Sequence, residues 1–342
     1  MLRFDKIAGL FLCLVICFTN CRPPERRGEV VPEFVDGVYV TNEGNFQFGN
    51  STISYFDEQT GHVTNDVFSA ANGFDLGDVC QSMIQIGAYY YIVVNGSGRV
   101  EVVDTTDFKV IKTITGCQSP RYLLPLSASK GYLTDLYANK VHILNLATNE
   151  ITGSISIPTW TEALAYANNK VYVSAPHSKY IFIIDPSQDQ VIDTIEAGEG
   201  ISSMVLDKNN ALWLLGNSDP ITHDPFLAKV DISTDEIILQ ETLDHPAGGL
   251  TCSADLSTLY WLEDGVVKLS VDSPISQRAT IIAKGTHHWY GLGVHPFTEN
   301  VYVSDVFDYL QSSEVFIYSK EGDQKSSFTA GVISGGFWFK IQ

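Results

Sequence analysis

The sequence predicts an all-β, seven-bladed β-propeller with four-stranded blades, and three observations carry that expectation. The first is the stretch Lys170 to Gly198, KVYVSAPHSKYIFIIDPSQDQVIDTIEAG, whose three short runs VYVSA, YIFIID and VIDTI are rich in Val, Ile, Tyr and Phe. Asn168-Asn169, Pro176-His177 and Asp185-Pro186-Ser187 punctuate them, the pattern of antiparallel strands joined by tight turns. The second is recurrence. The aromatic at Tyr172 returns as Tyr39, Tyr132, Trp213, Tyr260 and Tyr302, with Ile92 filling the remaining place, so that successive steps are 53, 40, 40, 41, 47 and 42 residues. A further run before each, such as EALAYA or GISSMVL, completes four strands per unit, and periods of about 40–50 residues with that content mark a propeller. The third is an orphan run, GGFWFK at Gly335 to Lys340, in a chain whose first run (Gly37 to Thr41) reads as a second strand. Phe337 to Phe339 are therefore expected to supply the innermost strand of blade one and close the ring, removing the exposed edges of an open array.

The chain divides into three parts. Residues 1–20 read as a signal peptide, with Arg3 and Lys6 ahead of an apolar segment, Ile7 to Phe18, too short to span a bilayer. Phe18-Thr19-Asn20-Cys21 looks like a bacterial lipobox with Phe where Leu is usual; a simple secretory signal is the alternative. On the lipoprotein reading Cys21 is acylated and anchors the chain to the outer membrane, and residues 21–34 are a tether. The tether, RPPERRGE after Cys21, lacks an acidic run, which leaves cell-surface and periplasmic placement both open. Residues 35–342 are the propeller. The whole chain's 44% hydrophobic content suffices for a large core, and its net charge of −19 argues against nucleic-acid binding, which needs Lys/Arg clusters. Cys80, Cys117 and Cys252 form neither CxxC nor a His-linked spacing, so no metal site is expected. Cys80 and Cys117 fall near the starts of adjacent inner strands, which leaves a disulfide open beside buried free thiols.

The layout separates two faces. Turns between first and second strands and between third and fourth are short and polar, as at Asn168-Asn169 and Asp231 to Glu236. The opposite face takes the second-to-third loops and the blade links, which are long and aromatic: residues 43–50, 216–226 and 304–314, with links 158–162, 285–291 and 333–339. Loops held on a rigid ring are where binding usually sits. The candidate ligand contacts on that face are Phe46, Phe48, Trp160, Phe226, His288, Trp289, Tyr290 and Tyr309, with Asn45 and Arg121 as polar orienters. Each has a plainer reading. Strand alternation puts one of Phe46 and Phe48 inward as packing, Trp338 is closing-strand core, and Arg121 is equally a member of a surface ion pair.

Tyr39 to Asn42 spells YVTN, and VYVS recurs at Val171 and Val301. These repeats resemble the YVTN-type (YncE-like) seven-bladed propellers. The longer pattern TNEGNFQFGNSTISYFDEQTG, followed by ANGFDLGDVCQSM, is similar to the BtuG-type surface lipoproteins of gut bacteria. That resemblance rests on Asn42 to Met83 and the leader, and implies capture of cobalamin or another corrinoid for a TonB-dependent outer-membrane transporter. It also raises two ways of holding a corrin: by its amide fringe and apolar faces, or through the cobalt by one of the loop histidines His177, His223, His287 and His288. The expected protein is a binder with no catalytic residues and no catalytic cofactor.

Two other classes stay open. No Asp-box, G-x-S-x-G, HExxH or Gly-rich phosphate loop is present. A metal-dependent, lactonase-like propeller hydrolase would draw on Glu43, Asn45, Asn95, Glu162 and Asp305 near the channel mouth. A protein-docking scaffold is the third class, since fold alone does not set function.

Overall fold

The computed structural model describes residues 36–217 and 224–341. Seven four-stranded antiparallel sheets make up the chain, each with its strands in radial order. The exception in connectivity is blade one, where Ser334–Lys340 is the innermost strand and Gly37–Asn42, Thr52–Asp57 and Val63–Thr64 follow outward. Tyr39 stands opposite Trp338 and Val40 opposite Phe337, so the C-terminal run closes the ring as its sequence predicts. The inner strands of blades two to seven begin at Cys80, Pro120, Leu164, Ile201, Gly248 and Trp289.

A helix, Val67–Asn72, lies between the first two blades and was not anticipated. It buries Val67 and Phe68 against Tyr39 and Leu76 and ends at Gly73, whose φ of 77° and N–H bond to the Ser69 carbonyl form a left-handed stop. The inserted helix accounts for the long first step of the repeat.

The recurring aromatic has a physical role on the tight-turn face. In blades two to five the third-to-fourth turn opens with Asp104, Asn145, Asp185 or Asp231, whose side chain accepts an N–H two residues on at 2.8–2.9 Å. The fifth residue of each turn, Phe108, Asn149, Asp189 or Asp235, takes a positive φ between 55° and 60°, which Asn and Asp tolerate. That residue then meets the preceding blade. Tyr172 Oη donates to Asp235 Oδ1 at 2.7 Å, Tyr132 bonds Asp189, and Tyr91 Oη donates to Asn149 Oδ1 at 2.5 Å. Tyr302 Oη reaches Glu58 Oε1 at 2.6 Å across the ring closure.

These staples correct the repeat by one residue. Tyr91 packs with Leu123, Leu133 and Leu144 of the next blade, as its counterparts do, whereas Ile92 faces back toward Tyr39. Tyr91, not Ile92, fills the second place. The core is a set of such inter-blade layers, one at each junction. Cys80, Cys117 and Cys252 are free thiols. No helix among the described residues is long and apolar enough to cross a membrane.

Candidate functional site

The inner strands share an irregularity that builds the site. In six blades the register between inner and second strand slips near the link end: at Cys80/Ser82, Pro120/Leu123, Ile201/Ser203, Gly248/Thr251, Trp289/Leu292 and Thr41/Asn42. A bulge leaves one residue unpaired and re-aims its side chain. Here Gln81, Arg121, Ser202, Gly249, Tyr290 and Gly335 lie within those slips and line one cavity at the channel mouth. Blade four contributes Glu162, just before its inner strand, with its N–H on the Ser174 carbonyl at 3.0 Å. Glu43 enters from the end of the second strand of blade one. The cavity measures about 550 Å³, and the adjoining part of the channel adds Leu124, Leu164, Met204, Leu250 and Leu292 beside Ser203 and Thr251.

The ring is lopsided. Arg121 grips Glu162 through two N–H donors, at 2.8 and 2.6 Å, and a third donor reaches Gln81 Oε1. Gln81 Nε2 in turn donates to the Tyr122 hydroxyl at 3.2 Å, and Tyr290 Oη donates to Glu43 Oε1 at 2.9 Å. On the other side Ser202 and Gly249 are small, while Gly335 sits under Glu43, where a Cβ would stand 2.7 Å from the carboxylate.

Burial pushes the Glu43 carboxyl above its ordinary value, outweighing the Tyr290 hydrogen bond and the Arg121 charge. Glu162 is raised for the same first reason, against the pull of Arg121. Arg121 is also raised, because the Glu162 contact outweighs the cost of its burial. Burial brings the Tyr122 phenol up to about 12. One arginine thus faces two carboxyls that resist ionisation. Among the described residues, Thr41 Oγ1 and Trp338 Nε1 are buried in the cavity wall without a hydrogen-bond partner.

Loops of blades one and seven make the rim. Asn45 Nδ2 donates to the Tyr309 carbonyl at 2.6 Å, and Tyr290 and Tyr309 meet edge to face at 6.0 Å. On its other flank the blade-one loop is tied down by Asp78, which accepts the Gln47 N–H at 3.0 Å. Between these ties Phe46 and Phe48 stand 62% and 77% exposed, so both point outward and neither packs as strand alternation suggested. Gln47, between them, has a φ of 70°, which breaks the alternation.

The remaining residues singled out in the sequence are scattered. Trp160 is half-buried, edge-on to Tyr137 at 5.0 Å and His177 at 4.1 Å. Trp289 stacks on His287 at 4.2 Å and meets Phe316, and His287 Nδ1 lies 2.7 Å from Asp305 Oδ2. His288 is exposed and bonded to the Phe307 carbonyl. Phe226 is displaced from the expected set: it is 6% exposed, packed where a Cβ on Gly216 or Gly198 would touch its ring, and belongs to the core between blades four and five. His223, like Cys21 and the leader, lies outside the described residues. Of the hydrolase set, Glu43 and Glu162 line the same cavity, and the others do not join them. Asn95 donates to Ser119 and the Pro120 carbonyl, Asp305 holds His287, and Glu162 is taken by Arg121.

Sequence reasoning reached Arg121 and Tyr290, placed Glu43 and Glu162 near the mouth and put the 333–339 link on that face, but did not assign Gln81, Tyr122 or Ser202 to it. A signal was present, since stepping from Arg121 by 40 residues back and 41 on reaches Gln81 and Glu162.

A family model described as a domain of unknown function, DUF5074, matches residues 36–339, which takes in every blade. The chain belongs to the DUF5074 family. No curated protein matches its sequence. Among solved structures this DUF5074 propeller is similar to a quinonprotein alcohol dehydrogenase-like protein of Bacteroides thetaiotaomicron, with TM-score 0.70 and 15% identity over 89% of this chain and 78% of that one. It is also similar to a 6-phosphogluconolactonase candidate of Bacteroides fragilis, with TM-score 0.68 and 11% identity over 89% and 98% of the two chains. At such identities the likeness shows the fold alone.

Proposed function

We propose that the propeller is a ligand-capture protein that holds cobalamin or a related corrinoid over the channel mouth and catalyses no reaction. The observation that carries this reading is the mouth itself: a polar cavity ringed by bulged side chains, under a rim whose loops are tied together and present Phe46, Phe48 and Tyr309 to solvent. A corrin is a broad disc with apolar faces and an amide fringe. Exposed rings suit the faces, and Thr41, Trp338, Gln81 and Tyr122 suit amide groups reaching the floor. Loops already tied to their neighbours lose little freedom on binding. The segment that resembles the BtuG type supplies Glu43, Gln81 and both rim phenylalanines. On this reading Cys21 is lipidated, the ring stands at the outer membrane, and a TonB-dependent transporter receives the ligand.

Calorimetric titration with cyanocobalamin tests the proposal. Binding at micromolar strength or better, about 8 kcal/mol, is expected without added metal. Phe46→Ala and Tyr290→Ala should each cost about 2 kcal/mol, and Asn169→Ala on the tight-turn face nothing. A second reading draws on Glu43 and Glu162, since desolvated carboxyls in a cleft also mark active sites. Lactone hydrolysis that needs a divalent cation and is lost in Glu43→Gln, with no corrinoid heat, would favour that reading. Absence of both would leave a docking scaffold.

A further inference from the structure

Away from the channel, the link into blade three brings together a set that its sequence spacing conceals. Cys117 Sγ, a carboxylate oxygen of Asp135 and a ring nitrogen of His142 lie within 4.8 Å of one another. The residues come from three places: the link before the inner strand, the end of the second strand Lys130–Asp135, and the third strand Lys140–Asn145. Asp135 and His142 are buried and Cys117 is partly exposed, so the set sits just under the surface.

We infer that Cys117, Asp135 and His142 form a site for a divalent transition metal of the zinc class. The donor chemistry is that of such ions: a thiolate, an imidazole and a carboxylate suit zinc or cobalt, whereas calcium and magnesium take oxygen ligands. Three protein ligands leave a fourth position for water or an external donor. The carboxylate is already aimed. Asp135 accepts the N–H groups of Gln118 and Ser119 at 2.7 and 2.8 Å, and its own backbone N–H is held by Thr161 Oγ1 at 2.9 Å. Such outer contacts are what orient ligands at metal sites.

A plainer account makes Asp135 a pin for the link, with His142 Nε2 at 3.0 Å as its partner. The pin alone does not require a histidine. His142 faces Leu133 as Phe182 faces Val173 in blade four, where the place of Asp135 is held by Ala175. Blade four therefore fills the same two positions with apolar side chains, and blade three spends them on ligating groups next to a thiol. Metal binding would exchange the Asp135–His142 hydrogen bond for two coordinate bonds and add the Cys117 sulfur as thiolate, its proton released to solvent. It would also fasten the link that leads into Arg121, four residues beyond Cys117.

The test uses the reduced full-length chain, stripped with chelator and titrated with Co²⁺ alone. One equivalent should bind, with a thiolate-to-cobalt charge-transfer band and visible bands of tetrahedral intensity that disappear when Zn²⁺ is added. Cys117→Ser should abolish the charge-transfer band and weaken binding more than about 100-fold, beyond what loss of an outer contact usually costs. Cys252→Ser should leave the spectrum unchanged, and His142→Gln, which keeps the thiol, should shift the visible bands and weaken binding. Melting curves for each variant separate loss of a ligand from loss of the fold. A spectrum without a charge-transfer band at saturating Co²⁺ would overturn the inference. So would the same band in Cys117→Ser or an unshifted spectrum in folded His142→Gln.

Discussion

This ring buries carboxylates in its tight turns and in its channel mouth, and the two sites treat them in opposite ways. On the tight-turn face Asp207 accepts the N–H groups of Asn209 and Ala211, the Trp213 indole N–H at 2.9 Å, and Lys229 at 3.1 Å. Burial alone would raise it, but those donors hold it below its ordinary value. Asp189 and Asp235 are likewise engaged by tyrosines of the preceding blade. At the mouth, Glu43 has a single tyrosine donor and Glu162 shares one arginine, and both are raised. The difference teaches how to separate structural from functional acids in a repeat fold. A carboxylate whose lone pairs are filled by its own turn and the next blade is a fastener. One that faces a cavity with few donors is held in a costly state and is available to something else.

The sharpest way to break this comparison is to ask whether the staples alone could hold the ring. Deleting Gly335 to Gln342 removes the strand opposite Tyr39 and Val40 but no member of a staple, although Phe337 and Phe339 pack on Tyr302. Loss of the cooperative melt, or of solubility, is expected; an unchanged melting curve would show that the staples suffice.

Next in size is Arg121→Ala. It leaves Glu162, only 5% exposed, without its cation, and breaking one side of a buried pair costs about 3 kcal/mol or more. Chemical denaturation should register that loss. Arg121→Ala with Glu162→Gln should recover part of it, because the unpaired charge is then gone.

A single staple should matter less. Tyr172→Phe deletes one hydroxyl and leaves Asp235 its Lys170 partner, so about 1 kcal/mol is expected in the same measurement. A loss as large as that of Arg121→Ala would mean the tight-turn face carries unmet charge after all.

The smallest effect is in pH dependence, and its sign distinguishes the faces. Asp207 lies below its ordinary 3.8, so its stabilisation is present above the unfolded value and fades as pH falls through the lower folded one. Glu43 and Glu162 lie above their ordinary 4.5, so the folded chain holds their protons longer. Stability tied to them is greatest below 4.5 and is lost as pH rises through the raised values. Melting temperatures across pH should show Glu43→Gln flattening the slope above 4.5 and Asp207→Asn flattening the acid limb. Slopes of the same sign for both variants would contradict the contrast.

The sequence by itself determined the ring. Strand runs, turn residues and a step near 40 depend on local backbone preference and on alternation within a few residues, so blade number and the closing strand were legible in GGFWFK and the VYVS repeats. The tight-turn face was nearly as legible, because each Asp or Asn there acts on its own turn. The helix Val67–Asn72 escaped, being held mainly by Val67 and Phe68 packing on distant Tyr39. The mouth was decided mainly by tertiary structure, although the step near 40 already links Gln81, Arg121 and Glu162. Which residue of an inner strand points into the channel depends on a one-residue slip against its neighbour, and such a slip reverses the facing of every side chain it touches. Phe226 turned into the core because it belongs to a strand paired with Gly216, and Phe46 and Phe48 both turned outward because loop geometry sets their direction. The meeting of Cys117 with Asp135 and His142 likewise needed three chain segments in place before any spacing had meaning.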